Sequence, residues 1–516
     1  MTLNVPTLTT FIIYILLMIV MGVYVYRRTH NLDDYVLGGR SLRPPVAAMS
    51  AGASDMSAYL FLGVPGAVYA GGIGATWIAI GLILGTYLNW RFVAARLRTY
   101  TERAKNSLSL SSYFAERFED RTQLLRIISA AVIVVFFTVY VSSGIVATGS
   151  LFSNVFGISV FTGATIGFVV VVVYTSIGGF LADSFTDFIQ GTLMFLALLI
   201  LPILGLWAIG GFGELGSAVS DRDPALWDMA NEVGYEKGTW GEGTALGWVA
   251  IVSGLAWGLG YLGMPHILAR FMGIRSSKDV PVARRIGTSW VILSLGGACA
   301  VGLLGIGLID KPLENQEDVF FVLAEQLTNP WIAGILQAAL LAAVMSTVDS
   351  QLIVVSTALT EDFYRKVVNR QASQRHLLWV GRGAVVVVAV VAFILALVAL
   401  QSPNPDDSSI LLIVAHAWAG FGAAFGPVIL LSLFWPRMTW VGALAGMVVG
   451  AVVALSWPTL DELYFGTGLY ELVPGFGLAL LACWIFGHFG SRPEREWRGQ
   501  YPDGAGDEVE PALVKP

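Results

Sequence analysis

An aspartate inside an apolar stretch is the first residue that calls for chemistry. Asp55 lies in Ser50-Ala51-Gly52-Ala53-Ser54-Asp55-Met56-Ser57-Ala58-Tyr59. A carboxylate there is costly in lipid and marks an ion or solute path by default, the alternative being a serine-bonded aspartate on a small-residue packing face. The small residues allow local unwinding, which frees carbonyl oxygens for a cation and turns half-helix N-termini toward a carboxylate. A second group of oxygens stands in Ala343-Val344-Met345-Ser346-Thr347-Val348-Asp349-Ser350. Sodium is a hard cation and takes oxygen ligands by the logic that governs calcium and magnesium. One serine in a helix is readily explained by back-bonding to the preceding turn. Four oxygen-bearing side chains, Ser346, Thr347, Asp349 and Ser350, are not.

A second interruption is Trp257-Gly258-Leu259-Gly260-Tyr261-Leu262-Gly263-Met264-Pro265-His266. Pro265 removes a backbone donor and breaks the helix. Trp257 and Tyr261, four apart, share a face and offer an aromatic wall or an interfacial anchor. Tyr140 stands mid-span, ready to bond a solute or a neighbour. Asp187, at the inner end of an apolar run, reads equally as a cap.

These residues need a membrane to position them. Of the 516 residues, 56% are hydrophobic and 13% charged, and the mean hydropathy is +0.71. Soluble proteins carry about 25% charged residues. Thirteen apolar runs are long enough to be spanning candidates: 8–26, 44–70, 73–95, 125–152, 158–178, 187–210, 245–270, 285–309, 331–360, 378–400, 409–435, 440–457 and 466–489. The first lacks a basic flank before it and is not a cleavable signal. With the N-terminus outside and the C-terminus inside, only Arg222, Lys237 and Lys311 of the 30 basic residues fall in outer loops, as positive-inside bias requires. The outer loops 211–244 and 310–330 are acidic, a solvated face with weak attraction for cations. The tail from Pro493 is short and polar. The two interruptions fall in the second and seventh spans, five apart, which is the sequence pointer to a transport site between inverted repeats.

Other classes find little support. Cys299 and Cys483 lie in apolar runs, which excludes a disulfide framework and a cysteine zinc site. A net charge of -6 argues against nucleic acid. There is no His-Glu-x-x-His, Gly-x-Ser-x-Gly or phosphate-binding loop, so no enzyme or ATP-driven pump is expected. Uphill movement then needs an ion gradient.

Several segments together resemble the sodium/solute symporter family. They are Asp33-Asp34-Tyr35-Val36-Leu37-Gly38-Gly39-Arg40-Ser41, the Ser50–Ser57 stretch, Gly179-Phe180-Leu181-Ala182, Pro265-His266-Ile267-Leu268-Ala269-Arg270-Phe271, Ala342–Thr347 and Ala417–Pro427. The resemblance covers nearly the whole chain. It implies an all-α membrane protein with a LeuT-like core of two inverted five-helix repeats, 44–210 and 245–435. The helices at 8–26 and 440–489 would be peripheral, and 491–516 a cytoplasmic tail. It implies sodium-coupled uptake of L-proline by a monomer in the bacterial inner membrane, with no organic cofactor. The alternative is a monocarboxylate, pantothenate or another amino acid. Sodium would be held by the carbonyls of Ala53, Met56 and Ala343 and the hydroxyls of Ser346 and Thr347. Asp187, Asp349 and Ser350 would be candidates for a second sodium. The solute would lie near Asp55, Ser57, Tyr140, Trp257, Tyr261 and Pro265, with Asp55 and Arg40 serving coupling. Where proline-carrying members have Gly-Trp and a glutamine, this chain has Ala58-Tyr59 and Met264, so these three positions border the expected solute.

Overall fold

The computed structural model describes residues 5–26, 36–177, 179–236, 238–369, 371–491 and 493. The start of the first motif, Asp33-Asp34-Tyr35, lies outside the described residues, as do Lys237 and nearly all of the C-terminal tail.

Each apolar run folds as helix, because in lipid a backbone must satisfy its own hydrogen bonds. The chain begins with α1 (Val5–Tyr26), whose Ile12, Ile13, Leu16, Leu17 and Val20 face outward. The second run is broken into α2 (Pro44–Asp55) and α3 (Gly63–Gly71). Then come α4 (Trp77–Leu88), α5 (Ala95–Arg103) and α6 (Leu110–Arg117). Three apolar helices follow, the first and third of them long: α7 (Leu124–Phe156), α8 (Val160–Ile177) and α9 (Phe180–Ile209). The seventh run is broken into α11 (Trp248–Gly260) and α12 (Pro265–Gly273), bent by 41°. After it come α13 (Val280–Leu308), the short α14 (Val319–Leu327), α15 (Pro330–Thr357) and α16 (Gln374–Gln401). The last helices are α17 (Ile410–Phe434), α18 (Trp440–Leu460) and α19 (Leu472–Phe486).

Among the described residues, eight helices are long and apolar enough to cross a membrane alone, and nine if α11 and α12 count as one. Three shorter apolar helices, in α1, α8 and α19, fall below that length.

The structure departs from the sequence expectation in two places. Helix α9 begins at Phe180, seven residues before the expected 187. Asp183, Ser184, Thr186 and Asp187 lower the hydropathy of its first turns, yet all four are buried. The acidic loop 211–244 is also structured. It contains α10 (Phe212–Arg222) and an antiparallel hairpin of β1 (Asn231–Glu236) and β2 (Thr239–Ala245). The hairpin packs on α3 through Tyr69, Tyr235 and Trp240, and Trp240 Nε1 donates to Tyr69 O at 3.1 Å.

The broken helix α2 is central. It packs against α9, α12, α13 and α15, and every residue from Ala47 to Asp55 is buried. The residues able to do chemistry therefore lie in the middle of the bundle, sealed from the apolar rim.

Candidate functional site

Helix α2 stops at Asp55 because the chain leaves helical geometry at Met56 (φ −78°, ψ 81°). The Ser57 amide then donates to the Asp55 carbonyl at 3.0 Å, and no longer to Ala53 four residues back. The released Ala53 carbonyl accepts from Ser346 Oγ of α15 at 2.8 Å. The same hydroxyl lies 3.1 Å from the carbonyl of Ala343. Oxygens of Ala53, Ala343 and Ser346 thus meet between the two helices. Thr347, next on α15, has a buried hydroxyl with no hydrogen-bond partner among the described residues. Met56 is fully buried at the break, and its sulfur accepts from Tyr59 Oη at 3.0 Å. A freed carbonyl and a buried hydroxyl are oxygen ligands of the kind a small hard cation takes.

The second break is held open by close packing. Gly263 approaches α17 so nearly that a Cβ there would lie 2.1 Å from the carbonyl oxygen of Phe421. Polar side chains satisfy the carbonyls that the broken helix leaves. Asn89 Nδ2 donates to Tyr261 O at 2.8 Å, and Trp418 Nε1 to Trp257 O at 2.7 Å. Pro265 opens α12 as its first residue, with buried Met264 before it. Pro265 also lines a cavity with Phe180, Met272 and Asp362, of about 410 Å³ counting its open side.

Tyr261 joins the two breaks. Its hydroxyl donates to Asp55 Oδ2 at 2.5 Å. Asp55 Oδ1 is buried without a hydrogen-bond partner among the described residues. Tyr140 Oη lies 3.4 Å from the Asp55 carbonyl. An aromatic wall rises beside this carboxylate. Trp257 sits 6.2 Å from Tyr59, 6.4 Å from Trp418 and 5.6 Å from Tyr470, the last two stacked. Ser57 accepts from the Tyr59 amide at 3.5 Å and starts the short 3₁₀ turn Ala58–Leu60.

The structure separates oxygens that the sequence grouped. Ser346 faces the first break, whereas Asp349 accepts from Thr175 of α8. Ser350 turns toward α9 and donates to Asp183 Oδ2 at 3.0 Å. Asp187 is not a cap: it lies two turns inside α9, fully buried, accepting from Ser50 Oγ at 2.6 Å. Arg40 stands apart from all of these, on the side where α12 ends. It has φ 51° and donates to Asn106 Oδ1 (2.8 Å), Thr101 Oγ1 (3.1 Å), Met272 O (2.7 Å) and Ser107 O (2.9 Å). It fastens the end of α12 to the α5–α6 connection.

Sequence reasoning missed Arg270, Asp183, Asn89 and Tyr470 as site residues. Arg270 and Asp183 had a readable signal. An arginine closes a predicted span, and Asp183 precedes Asp187 by one helical turn on the same face. Nothing in the sequence announces that Tyr470 covers Trp257.

The chain matches the model of the sodium:solute symporter family over residues 35–450. It belongs to that family. Being a sodium:solute symporter, it is a multi-pass membrane transporter and not an enzyme, and sodium is co-transported. Among its relatives, the sodium/proline symporter of Escherichia coli (strain K12) is 48% identical over 510 residues, 98% of this chain and 97% of the relative. A high-affinity proline transporter of Bacillus subtilis (strain 168) is 46% identical over 489 residues, 94% of this chain and 98% of the relative. A solved Na+-coupled sialic acid symporter, substrate-bound and outward-open, superposes with a TM-score of 0.75 at 18% identity, covering 94% of this chain and 98% of that one. MhsT in complex with L-phenylalanine gives 0.53 at 14% identity, over 86% and 98% of the two chains. The symporter therefore has the LeuT-like fold that the family resemblance implied.

Proposed function

We propose that this symporter couples inward movement of one sodium to uptake of L-proline. Long relatives named for proline, at 48% and 46% identity over nearly the whole chain, support the substrate. The observation that carries the reading is the convergence of Asp55, Tyr261 and Trp257 at two facing helix breaks, next to the released Ala53 carbonyl.

Sodium binds the carbonyls of Ala53, Met56 and Ala343 and the hydroxyls of Ser346 and Thr347, tying α2 to α15. This orders the adjoining proline site. The ammonium of the zwitterion meets Asp55 and the freed carbonyls, and its carboxylate takes donors at the helix breaks. Its ring packs on Trp257, Tyr261 and Tyr59, with Ser57, Ala58, Tyr140, Met264 and Pro265 around them. Closing the outer side and opening the inner side carries both across, and Arg40 transmits the change to the end of α12. Repeat one spans 44–210 and repeat two 245–435. The protein works as a monomer with thirteen crossings, N-terminus outside, in a bacterial inner membrane. Each inward sodium gains about 2.3 kcal/mol per 100 mV. At about 1.4 kcal/mol per tenfold, that sustains well over tenfold accumulation.

The test is uptake of labelled L-proline into proteoliposomes under an inward sodium gradient, with a matched potassium control. Uptake is expected to require sodium, rise with an inside-negative potential and vanish in Asp55→Cys. Sodium-dependent entry of another solute, with proline excluded, would move the specificity to Ala58, Tyr59 and Met264 and overturn the proline assignment.

A further inference from the structure

The cavity beside Pro265 lies on the side where α12 ends, away from the outer hairpin. Its volume is about 410 Å³ counting its open side. Pro265 also borders the proposed proline site, so the two spaces are neighbours. Ile133 of α7, Phe180 of α9, Ala269 and Met272 of α12 and Ile353 of α15 make the cavity wall mainly apolar. Among its described lining residues three side chains are polar: Ser109, Thr357 and Asp362.

Two of the three are already engaged. Thr357 Oγ1 donates to the Ile353 carbonyl at 2.8 Å. Ser109, the N-cap of α6, donates through Oγ to Asp362 Oδ1 at 3.0 Å. Asp362 stands in the π-helical stretch Ala358–Val368 that prolongs α15, and it is only 1% exposed. Nη1 of Arg126, on α7, approaches the same Oδ1 at 3.6 Å. Asp362 Oδ2 has no hydrogen-bond partner among the described residues. The unspent polar atom in this apolar wall is therefore a carboxylate oxygen. A buried acceptor left open calls for a donor, and a carboxylate pairs most strongly with a charged N–H. An apolar pocket with one such acceptor suits a compact apolar ring that carries an ammonium. The solute proposed above has that chemistry.

We propose that this cavity is an exit subsite for the transported amino acid. The solute leaving the breaks lodges its ring against Phe180, Ala269 and Met272, and its ammonium donates to Asp362 Oδ2 before release. Its carboxylate faces the open side. Arg126 supplies the counter-charge to Asp362 while the subsite is empty. None of the proposed sodium ligands lines the cavity among its described residues, so the subsite holds its occupant without sodium.

This inference rests on the proposed proline uptake, and its test separates the two. In a full-length chain with Cys299 and Cys483 replaced by alanine, Ala269→Cys places a thiol in the cavity wall. The purified protein, in sodium-free buffer, is treated with methyl methanethiosulfonate, a small neutral thiol reagent, and the modified fraction is read by intact mass. L-Proline and pyrrolidine both carry the ammonium and are expected to slow the modification. Cyclopentanecarboxylate keeps the ring size and the carboxylate but has no nitrogen, and is expected not to slow it. Asp362→Asn should raise the half-protecting proline concentration by about tenfold or more. Equal protection by cyclopentanecarboxylate, or undiminished protection by proline in Asp362→Asn, would overturn the subsite. So would a thiol that reacts without protection by proline, or one that never reacts. If Asp362→Asn does not fold, the comparison of the three ligands decides alone. Sodium-dependent proline uptake is measured in parallel on proteoliposomes of the parent chain and of the cysteine variant. Its absence from both would overturn the uptake reading, whereas uptake without protection would overturn the subsite alone.

Discussion

Thr347→Val separates a sodium ligand from a packing residue. The exchange conserves shape and removes one hydroxyl. In the structure that hydroxyl is buried without a hydrogen-bond partner among the described residues, so its loss breaks no bond in the sodium-free protein. An unsatisfied buried hydroxyl costs about 1–3 kcal/mol, so sodium-free Thr347→Val should melt no lower than the parent. A ligand hydroxyl bound to a charged species contributes about 1.5–3 kcal/mol. Its loss therefore raises half-saturating sodium by roughly tenfold to a hundredfold at 1.4 kcal/mol per decade. The assay is initial proline uptake into proteoliposomes over a sodium series, paired with thermal melting in sodium-free buffer. Lower sodium affinity with unchanged or higher melting temperature is the expected pair. An unchanged sodium requirement would refute the assignment. A lowered sodium-free melting temperature would refute the orphaned-hydroxyl argument.

Two further outcomes are expected. Tyr261→Phe keeps the ring but removes the donor 2.5 Å from Asp55 Oδ2. Half-saturating proline should rise about tenfold, as expected for loss of a bond to a charged group, while the ranking of ring-containing competitors is unchanged. In the turn before α14, burial pushes the Asp318 carboxyl from its ordinary 3.8 up to about 6, opposed by the Asn154 amide. The folded state then holds this proton more tightly than the unfolded chain. Its contribution to stability is present below about pH 4 and is lost as the pH rises through about 6. Melting temperature in detergent should fall over that window, and Asp318→Asn should flatten the slope.

The amino-acid sequence by itself determined that the chain is built of apolar helices, where two of them break, and which polar side chains lie inside them. These are local properties. Apolar length compels a helix in lipid, and proline, glycine and small residues interrupt it where backbone carbonyls are needed. Asp55, Ser346 and Thr347 were legible because polar groups are costly in such segments. The sequence also ranked Asp349 and Ser350 with Ser346, because spacing along a chain cannot say which neighbouring helix each residue meets. Tertiary packing sent Asp349 to Thr175 and Ser350 to Asp183. It took Asp187 out of the capping role and put it in contact with Arg270, 83 residues away. It brought Tyr470 over Trp257 from beyond the expected repeats. A polar group excluded from water must find a partner, but which partner it finds depends on helix contacts that no local pattern encodes.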